Sequence, residues 1–466
     1  MNSKHSYDRL SAYDQISGNP QAHSTYDPVS VNPQAPSSYA QASANPPIHS
    51  VYDKAFAAPQ THSAYSLVKL VRSPHDLDSA HGTMSLWEAT ISLAKSAVGA
   101  GALFMPLCFL RLGLLGGLIG ITLAMVLTVM SLTFLGIACQ RTGATDYLQL
   151  ANALGGPKLE FFTVICVVAV MFAPIIVYIR LSSAYLVNFL YHFCGISGEQ
   201  HVVEVLLSIF VLWPMSWIRD GQKLAQFSSL GMLGMIYVAG LALFDFLLSS
   251  PWDFSTVQWF NYESTWKEAF GCLSMILFSF NCHFTLPTIT RDLERPTAER
   301  NRSVIVASSC AAATFYLLIG ISGYLQFGPQ ITGDMLAAKP SSPAYIIGQL
   351  SIAVVNVVSF PLIIIPVRGI IQWGCSKLGP FRPNSIAGSD ALQGAAIILV
   401  GLITSSQFQS TAKVFDLIGS ICGGPVTLLL PALFFRRSTG RINPTVLILY
   451  IFGLCMLFGG ILCILL

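Results

Sequence analysis

Charged residues are scarce in this chain, since Asp, Glu, Lys and Arg together make up 10% of its 466 residues. A soluble globular domain carries roughly 25% charged residues. Hydrophobic residues reach 53%, and the mean hydropathy is +0.62. This imbalance argues against a large soluble core and favours a polytopic membrane protein.

Sequence patterns of enzyme and metal chemistry are also lacking. The 11 cysteines fall mostly in apolar stretches, where cysteine acts as a small hydrophobic residue, and no CxxC or Cys/His spacing indicates a metal site. There is no nucleophile-and-base pair, phosphate loop, redox motif or nucleic-acid-binding pattern. We therefore expect no enzyme activity, no cofactor, no metal and no nucleic-acid partner.

Residues 82–466 instead contain about eleven apolar stretches. A helix needs about 20 apolar residues to cross a hydrocarbon core of about 30 Å. The sequence thus predicts an all-α polytopic membrane protein, with a membrane domain over residues 84–466. The candidate spans are 85–109, 114–139, 160–192, 202–218, 227–249, 267–288, 303–326, 344–372, 389–407, 412–435 and 443–466.

Lysine and arginine are distributed unevenly between the two ends of these spans. With the N-terminus placed in the cytoplasm, nineteen of the 25 basic residues fall on the inner side and four on the outer side. Such a bias is the positive-inside signal of membrane proteins. It predicts a cytoplasmic N-terminus and, with eleven spans, a C-terminus on the outer or lumenal side.

The first 80 residues form a polar tail with a repeat. Their composition, rich in Ser, Ala, Pro, Asn and Gln, favours disorder, and a 13-residue period is too short for a solenoid. Several units read Tyr-x-x-bulky apolar, a pattern that trafficking adaptors bind in extended form; the alternative is a linker without a partner. The repeat is marked by Tyr13, Tyr26, Tyr39, Tyr52 and Tyr65.

The first span holds a lysine one turn before a Gly-Ala-Gly sequence, at Lys95 and residues 99–101. A charge and two glycines inside a span are costly in lipid and persist where protein or a water-filled cavity surrounds them. The pattern predicts a helix break that lines a transport path. The alternative for Gly99 and Gly101 is close helix packing, which the following Pro106 makes less favourable.

Five short motifs carry a family resemblance. Residues 95–106 read Lys-Ser-Ala-Val-Gly-Ala-Gly-Ala-Leu-Phe-Met-Pro, and residues 278–287 read Phe-Ser-Phe-Asn-Cys-His-Phe-Thr-Leu-Pro. They are followed by Asp-Leu-Glu-Arg-Pro at 292–296, Gly-Tyr-Leu-Gln-Phe-Gly at 323–328, and Ser-Phe-Pro with a later Pro-Val-Arg within 359–368. In order and spacing they resemble the amino acid/auxin permease (AAAP) family, within the APC superfamily that shares the LeuT-like fold.

The resemblance implies two inverted repeats of five spans each, with the first and sixth spans unwound near the bilayer midplane. Breaking a helix frees N–H groups that attract an anion and carbonyls that accept from a cation. An amino acid zwitterion presents both groups. The implied substrate-binding residues are Gly99, Ala100, Gly101, Ala102, Ser279, Phe280 and Asn281.

Lys95 is the main candidate for ion coupling. The resemblance implies an Asn at this position in sodium-coupled members and a Lys in proton-coupled members, while Ser359 matches a Thr of the sodium site. Two unit charges about 4 Å apart at an effective dielectric near 20 repel by about 4 kcal/mol, about a thousandfold in affinity. We expect the ammonium to replace sodium. The alternative is a structural cation paired with Glu88.

Two further polar residues are predicted within spans. His283 titrates near neutral pH in its unperturbed form and is a candidate proton relay; the alternative is a neutral histidine that braces the broken sixth span. Arg180 has three candidate roles: a pair with Asp245, a position near the outer surface, or contact with substrate.

The sequence thus predicts a secondary amino acid permease that works by alternating access, independent of sodium and coupled to protons. A facilitator is the alternative within the family, and a nutrient sensor that uses the tail to recruit partners is the alternative from another class. We expect a monomer in the plasma membrane or a vacuolar or lysosomal membrane, with an amino acid substrate.

Overall fold

The computed structural model describes residues 82–218, 221–249, 255, 257–331, 333–378, 389–408 and 410–465. The predicted tail, residues 1–80, lies outside this part, so its disorder stays a prediction. The described part of the chain is helical, and the sole sheet-like pairing in it is a bridge between Met84 and Leu293. Helices satisfy their own backbone groups, as a chain in lipid requires.

Fourteen helices are labelled in chain order. They are α1 Leu86–Ala97, α2 Met105–Leu112, α3 Leu114–Thr142, α4 Tyr147–Cys194, α5 Gln200–Leu207, α6 Gly221–Leu248, α7 Trp266–Ser279, α8 Leu286–Asp292, α9 Ala298–Phe327, α10 Pro343–Leu378, α11 Ser389–Gln407, α12 Thr411–Ile418, α13 Leu430–Thr439 and α14 Pro444–Leu465. Short π-helical turns continue α5 through Ser208–Leu212 and join α12 to α13.

Seven helices of the described part are long and apolar enough to cross a membrane, and the pair α1 and α2, bent by 51°, raises the number to eight. The all-α polytopic prediction is therefore confirmed, whereas the count of eleven spans stays a prediction. The sixth predicted span is divided between α7 and α8, which are too short to cross alone. The third predicted span, 160–192, lies in the part of α4 that follows a kink at Gly156 (φ 65°).

Both broken spans begin with the same capping motif. The Ser85 hydroxyl accepts from the Glu88 N–H while the Glu88 carboxylate accepts from the Ser85 N–H. Thr265 and Glu268 form the same reciprocal pair at the start of α7. Such a capping box satisfies two N–H groups that a helix start leaves open. It also commits Glu88, the predicted alternative partner of Lys95, to the helix cap.

Helix α9 is the central support of the broken spans. It packs against both halves of the first one, α1 and α2, and against α3 and α6. Helix α7 packs against α2 and α12. The two breaks therefore lie next to each other, at the centre of the helical bundle.

The predicted pair of Arg180 and Asp245 is wrong. Arg180 is buried in α4, where its Nη1 donates to the Ser405 carbonyl at 2.8 Å and lies 3.6 Å from Glu204 Oε1. Asp245, in α6, instead accepts from Lys339 Nζ at 2.6 Å. The sequence placed both charges at similar depth but contained no information on which helix faces which.

Candidate functional site

The first break follows directly from the two glycines. Helix α1 ends at Ala97, Gly99 is extended (φ −133°, ψ −161°), and a 3₁₀ turn over Ala100–Phe104 leads into α2. Within the described chain, the N–H groups of Gly99, Ala100 and Gly101 have no hydrogen-bond acceptor. Three free donors at the start of a helical segment favour an anion there.

The second break lies between α7 and α8. Helix α7 ends at Ser279, Phe280 caps it, and the Cys282 N–H donates to the Phe280 carbonyl at 2.9 Å. Helix α8 restarts at Leu286, with Pro287 in its first turn. Proline has no N–H to donate, so the chain cannot continue α7 through this position without losing a hydrogen bond.

The two breaks are in direct contact. A Cβ on Gly101 would overlap the Ser279 hydroxyl and lie 3.0 Å from the Ser279 Cβ, whereas a Cβ on Gly99 would meet nothing within 4 Å. Gly101 is thus the glycine that the contact between the broken spans requires. Gly99 is open to a ligand.

Tyr316, in α9, connects the breaks and was missed by the sequence analysis. Its hydroxyl lies 2.8 Å from the Ala97 carbonyl oxygen and 2.6 Å from the Ser279 carbonyl oxygen. Its ring is fully buried and meets Phe280 edge to face, with centroids 4.9 Å apart. A tyrosine in the middle of an apolar span needs a partner for its hydroxyl, which is the signal that could have identified it.

This contact changes which carbonyls are available. Of the three predicted acceptors, the Ser279 carbonyl lies at the Tyr316 hydroxyl and the Phe280 carbonyl accepts from Cys282. The Asn281 carbonyl has no donor in the described part, and the Asn281 Oδ1 is buried without a partner there. Asn281 therefore supplies the open acceptors of the second break.

Lys95 lies in the last turn of α1, half-buried, two residues before the helix ends. The next residue, Ser96, is exposed, and its Oγ lies 2.6 Å from the Thr285 Oγ1 of the second break. A pair of hydroxyls exposed in the middle of a span faces water rather than lipid, because lipid offers polar groups no partner.

His283 is fully buried in the second break and contacts α3. Its Nε2 lies 2.8 Å from the Ser131 Oγ, and the Ser131 hydroxyl donates to the Thr427 carbonyl. Because that hydroxyl proton is used, Ser131 accepts from His283, which places the imidazole proton on Nε2. Nδ1 then has a free lone pair and no partner in the described part.

Ser359 lies in α10, outside both breaks. It lines a cavity of about 420 Å³ between α6 and α10, whose other lining residues include Gly231, Tyr237 and Ser351. None of the lining residues belongs to α1 or to either break. Nine of the ten predicted site residues lie in or next to the two breaks, and Ser359, in α10, is the exception.

The α2 end of the site is closed by packing. Arg111, at the end of α2, pairs with Glu268, at the start of α7, at 3.0 Å. Met335 and Leu336, in the segment between α9 and α10, are fully buried, and their turn packs on the Ala100–Phe104 turn. The α1 end, by contrast, exposes Ser96.

The two broken spans, the first and the sixth of the predicted spans, lie side by side and are joined by α9, and the comparison with known proteins agrees with this arrangement. The family model described as "Transmembrane amino acid transporter protein" matches residues 82–465. The chain belongs to this family. The match confirms the resemblance to the amino acid/auxin permeases that the motifs indicated.

Relatives of this amino acid transporter family member are transporters, not enzymes. The chain is 26% identical over 348 residues to "Solute carrier family 38 member 8" of Homo sapiens, which covers 69% of this chain and 77% of that protein. It is 27% identical over 300 residues to "Vacuolar amino acid transporter 7" of Saccharomyces cerevisiae, covering 61% of this chain and 59% of that protein.

A solved structure supports the fold of this family member. Mhp1, a nucleobase-cation-symport-1 family transporter in a closed conformation with bromovinylhydantoin bound, aligns with a TM-score of 0.54 at 11% identity. The alignment covers 83% of this chain and 93% of Mhp1. At this identity the likeness shows the fold alone, and it confirms the LeuT-like architecture.

Proposed function

We propose that this chain is a secondary amino acid transporter that works by alternating access, and that it binds the zwitterion at the two breaks. The observation that carries the proposal is the contact between the breaks, with open donors on one and open acceptors on the other. The N–H groups of Gly99, Ala100 and Gly101 face no acceptor in the described part. The Asn281 oxygens lie on the other break without a donor.

The two charges of an amino acid fit this arrangement. A carboxylate gains from the free N–H groups at the start of a helical segment, and an ammonium gains from carbonyls at the end of one. Main-chain recognition of this kind selects for the amino acid backbone and leaves the side chain to the surrounding pocket. Ala102, the next residue of the 3₁₀ turn, is fully buried.

Alternating access requires that one end of the site closes while the other opens. In this conformation the α2 end is closed by the Arg111–Glu268 pair and by Met335. The α1 end exposes the hydroxyls of Ser96 and Thr285. With the N-terminus in the cytoplasm, as the basic residues predict, the site opens toward the cytoplasm.

We further propose that transport is independent of sodium and coupled to protons. Lys95 places an amine two residues before the first break, and a sodium ion at this point would be repelled by it. His283 offers a free lone pair on Nδ1 inside the second break, a place where a proton can be added. Ser359, the residue that matches a Thr of the sodium site, lines a cavity between α6 and α10 that no residue of either break shares.

The test is uptake by purified protein in liposomes, with each radiolabelled amino acid under an imposed pH gradient or sodium gradient. We expect an acidic outer solution to drive accumulation and replacement of sodium by choline to change nothing. Uptake that requires sodium would contradict the coupling proposal, and no uptake of any amino acid would contradict the transport proposal.

A variant pair tests the role of Lys95. Lys95→Asn removes the charge, so we expect uptake to fall in the absence of sodium and to recover in part when sodium is added. Lys413→Asn is the matched control, since Lys413 is exposed at the start of α12. Equal behaviour of the two variants would show that Lys95 has no part in coupling.

A further inference from the structure

Two helix ends converge on the hydroxyl of Tyr316. Ala97 is the last residue of α1 and Ser279 is the last residue of α7, and their carbonyl oxygens lie 2.8 Å and 2.6 Å from the Tyr316 oxygen. The C-terminal end of a helix carries partial negative charge. Two such ends at one point favour a positive group between them.

The hydroxyl supplies one proton for two acceptors. A phenol donates a single hydrogen bond, and no other donor of the described chain reaches either carbonyl. One of two main-chain oxygens beside a fully buried ring is therefore always without a donor, which is costly in a buried site. An ammonium group has three N–H donors and a full charge, so it satisfies this site better than the hydroxyl does.

We propose that the Tyr316 hydroxyl takes the place of the substrate ammonium in the empty transporter. The hydroxyl donates a hydrogen bond to one of the two carbonyls while the site is empty, and this hydrogen bond breaks when the ammonium of the amino acid binds there. This inference rests on the proposed transport function and assigns Tyr316 as a positioning residue for it. The ring stays fixed against Phe280, so that only the hydroxyl rotates.

The proposal has a consequence for the transport cycle. The empty transporter has to change conformation with these two carbonyls buried, and the hydroxyl stabilises that state. During exchange, with amino acid on both sides of the membrane, the transporter changes conformation only when loaded. Loss of the hydroxyl should therefore slow net uptake and leave exchange in place.

The experiment compares Tyr316→Phe with the wild-type protein in liposomes, with an equimolar mixture of radiolabelled neutral amino acids as the probe. Net uptake starts with empty liposomes, and exchange starts with the same mixture unlabelled inside. We expect the half-saturating concentration and the net uptake rate each to fall about tenfold, the equivalent of one hydrogen bond. Exchange should stay within about twofold of wild type.

Tyr324→Phe is the matched control. Tyr324 lies on the same helix, is nearly buried, and accepts from the Gln258 N–H at 3.0 Å, away from both breaks. It should lower net uptake and exchange by the same factor. If Tyr316→Phe does so too, or if its half-saturating concentration rises, Tyr316 is a structural residue and the proposal fails.

A second variant keeps the proposal testable if Tyr316→Phe does not fold. 3-Fluorotyrosine at position 316 keeps the ring and the hydroxyl, and its more acidic phenol donates a stronger hydrogen bond. It should compete better with the ammonium and raise the half-saturating concentration; an unchanged or lower value overturns the proposal. Wild-type protein that transports none of the amino acids would instead contradict the transport function itself.

Discussion

Gly101→Ala tests whether the contact between the two broken spans holds the site together. The new Cβ would overlap the Ser279 hydroxyl and lie 3.0 Å from the Ser279 Cβ. Overpacking of this kind costs about 1–3 kcal/mol, which corresponds to roughly a fivefold to 150-fold change in an equilibrium constant. We expect a lower melting temperature for the purified protein and a loss of uptake within that range.

Gly99→Ala is the matched control, because a Cβ there meets nothing within 4 Å and the extended backbone of Gly99 suits alanine. It should melt like the wild type, and any loss of uptake then reports on substrate rather than packing. Ser279→Gly removes the two Ser279 side-chain atoms that the new Cβ approaches most closely and leaves only the Cα at 3.5 Å, so the double variant with Gly101→Ala should recover stability. A Gly101→Ala protein as stable as Gly99→Ala, or no recovery in the double variant, would refute the contact.

Two further changes address the closed end of the site. Glu268→Gln removes the ion pair with Arg111, in which the Arg111 and Glu268 side chains are 38% and 39% exposed. Losing such an exposed pair costs about 0.2–1 kcal/mol, so maleimide labelling of the buried Cys108, read by mass spectrometry, should rise by up to about fivefold. Glu263→Gln, which loses no ion pair of the described part, should leave the labelling unchanged. Asp334, between α9 and α10, has a pKa raised above 3.8 by desolvation, which outweighs its bond from the Tyr185 hydroxyl. Its protonated form is favoured by folding, so its contribution to stability is present at low pH and lost as pH rises through the raised pKa. The melting temperature of wild type minus that of Asp334→Asn should thus fall as pH rises above 3.8, and a constant difference would contradict this.

The location of the first break could be predicted from the sequence because its cause is local. Two glycines and a following proline act on the backbone where they stand, and the helix ends at Ala97 as expected. The second break was predicted through the resemblance, and α8 restarts with Pro287 in its first turn. The helical class followed from composition and span length in the same way.

Contacts between distant helices could not be predicted, because apolar spans carry little record of which face meets which neighbour. Helix α9 illustrates this, since its apolar residues are spread around the helix without a distinct apolar face, and nothing in the sequence sets Tyr316 apart. The same limit explains the wrong pairing of Arg180 with Asp245 and the position of Ser359 on the α6–α10 cavity. It also explains why two of three predicted acceptor carbonyls already have donors.

The bridge between Met84 and Leu293 restricts which amino acids can stand just before the first span. The Met84 N–H donates to the Asp292 carbonyl at 2.9 Å, and the Glu294 N–H donates to the Met84 carbonyl at 2.8 Å. Both bonds use main-chain atoms alone, so neither bond depends on which side chain stands at position 84 or 294. Proline is the exception, because it has no N–H. Homologous sequences should therefore avoid proline at these two positions.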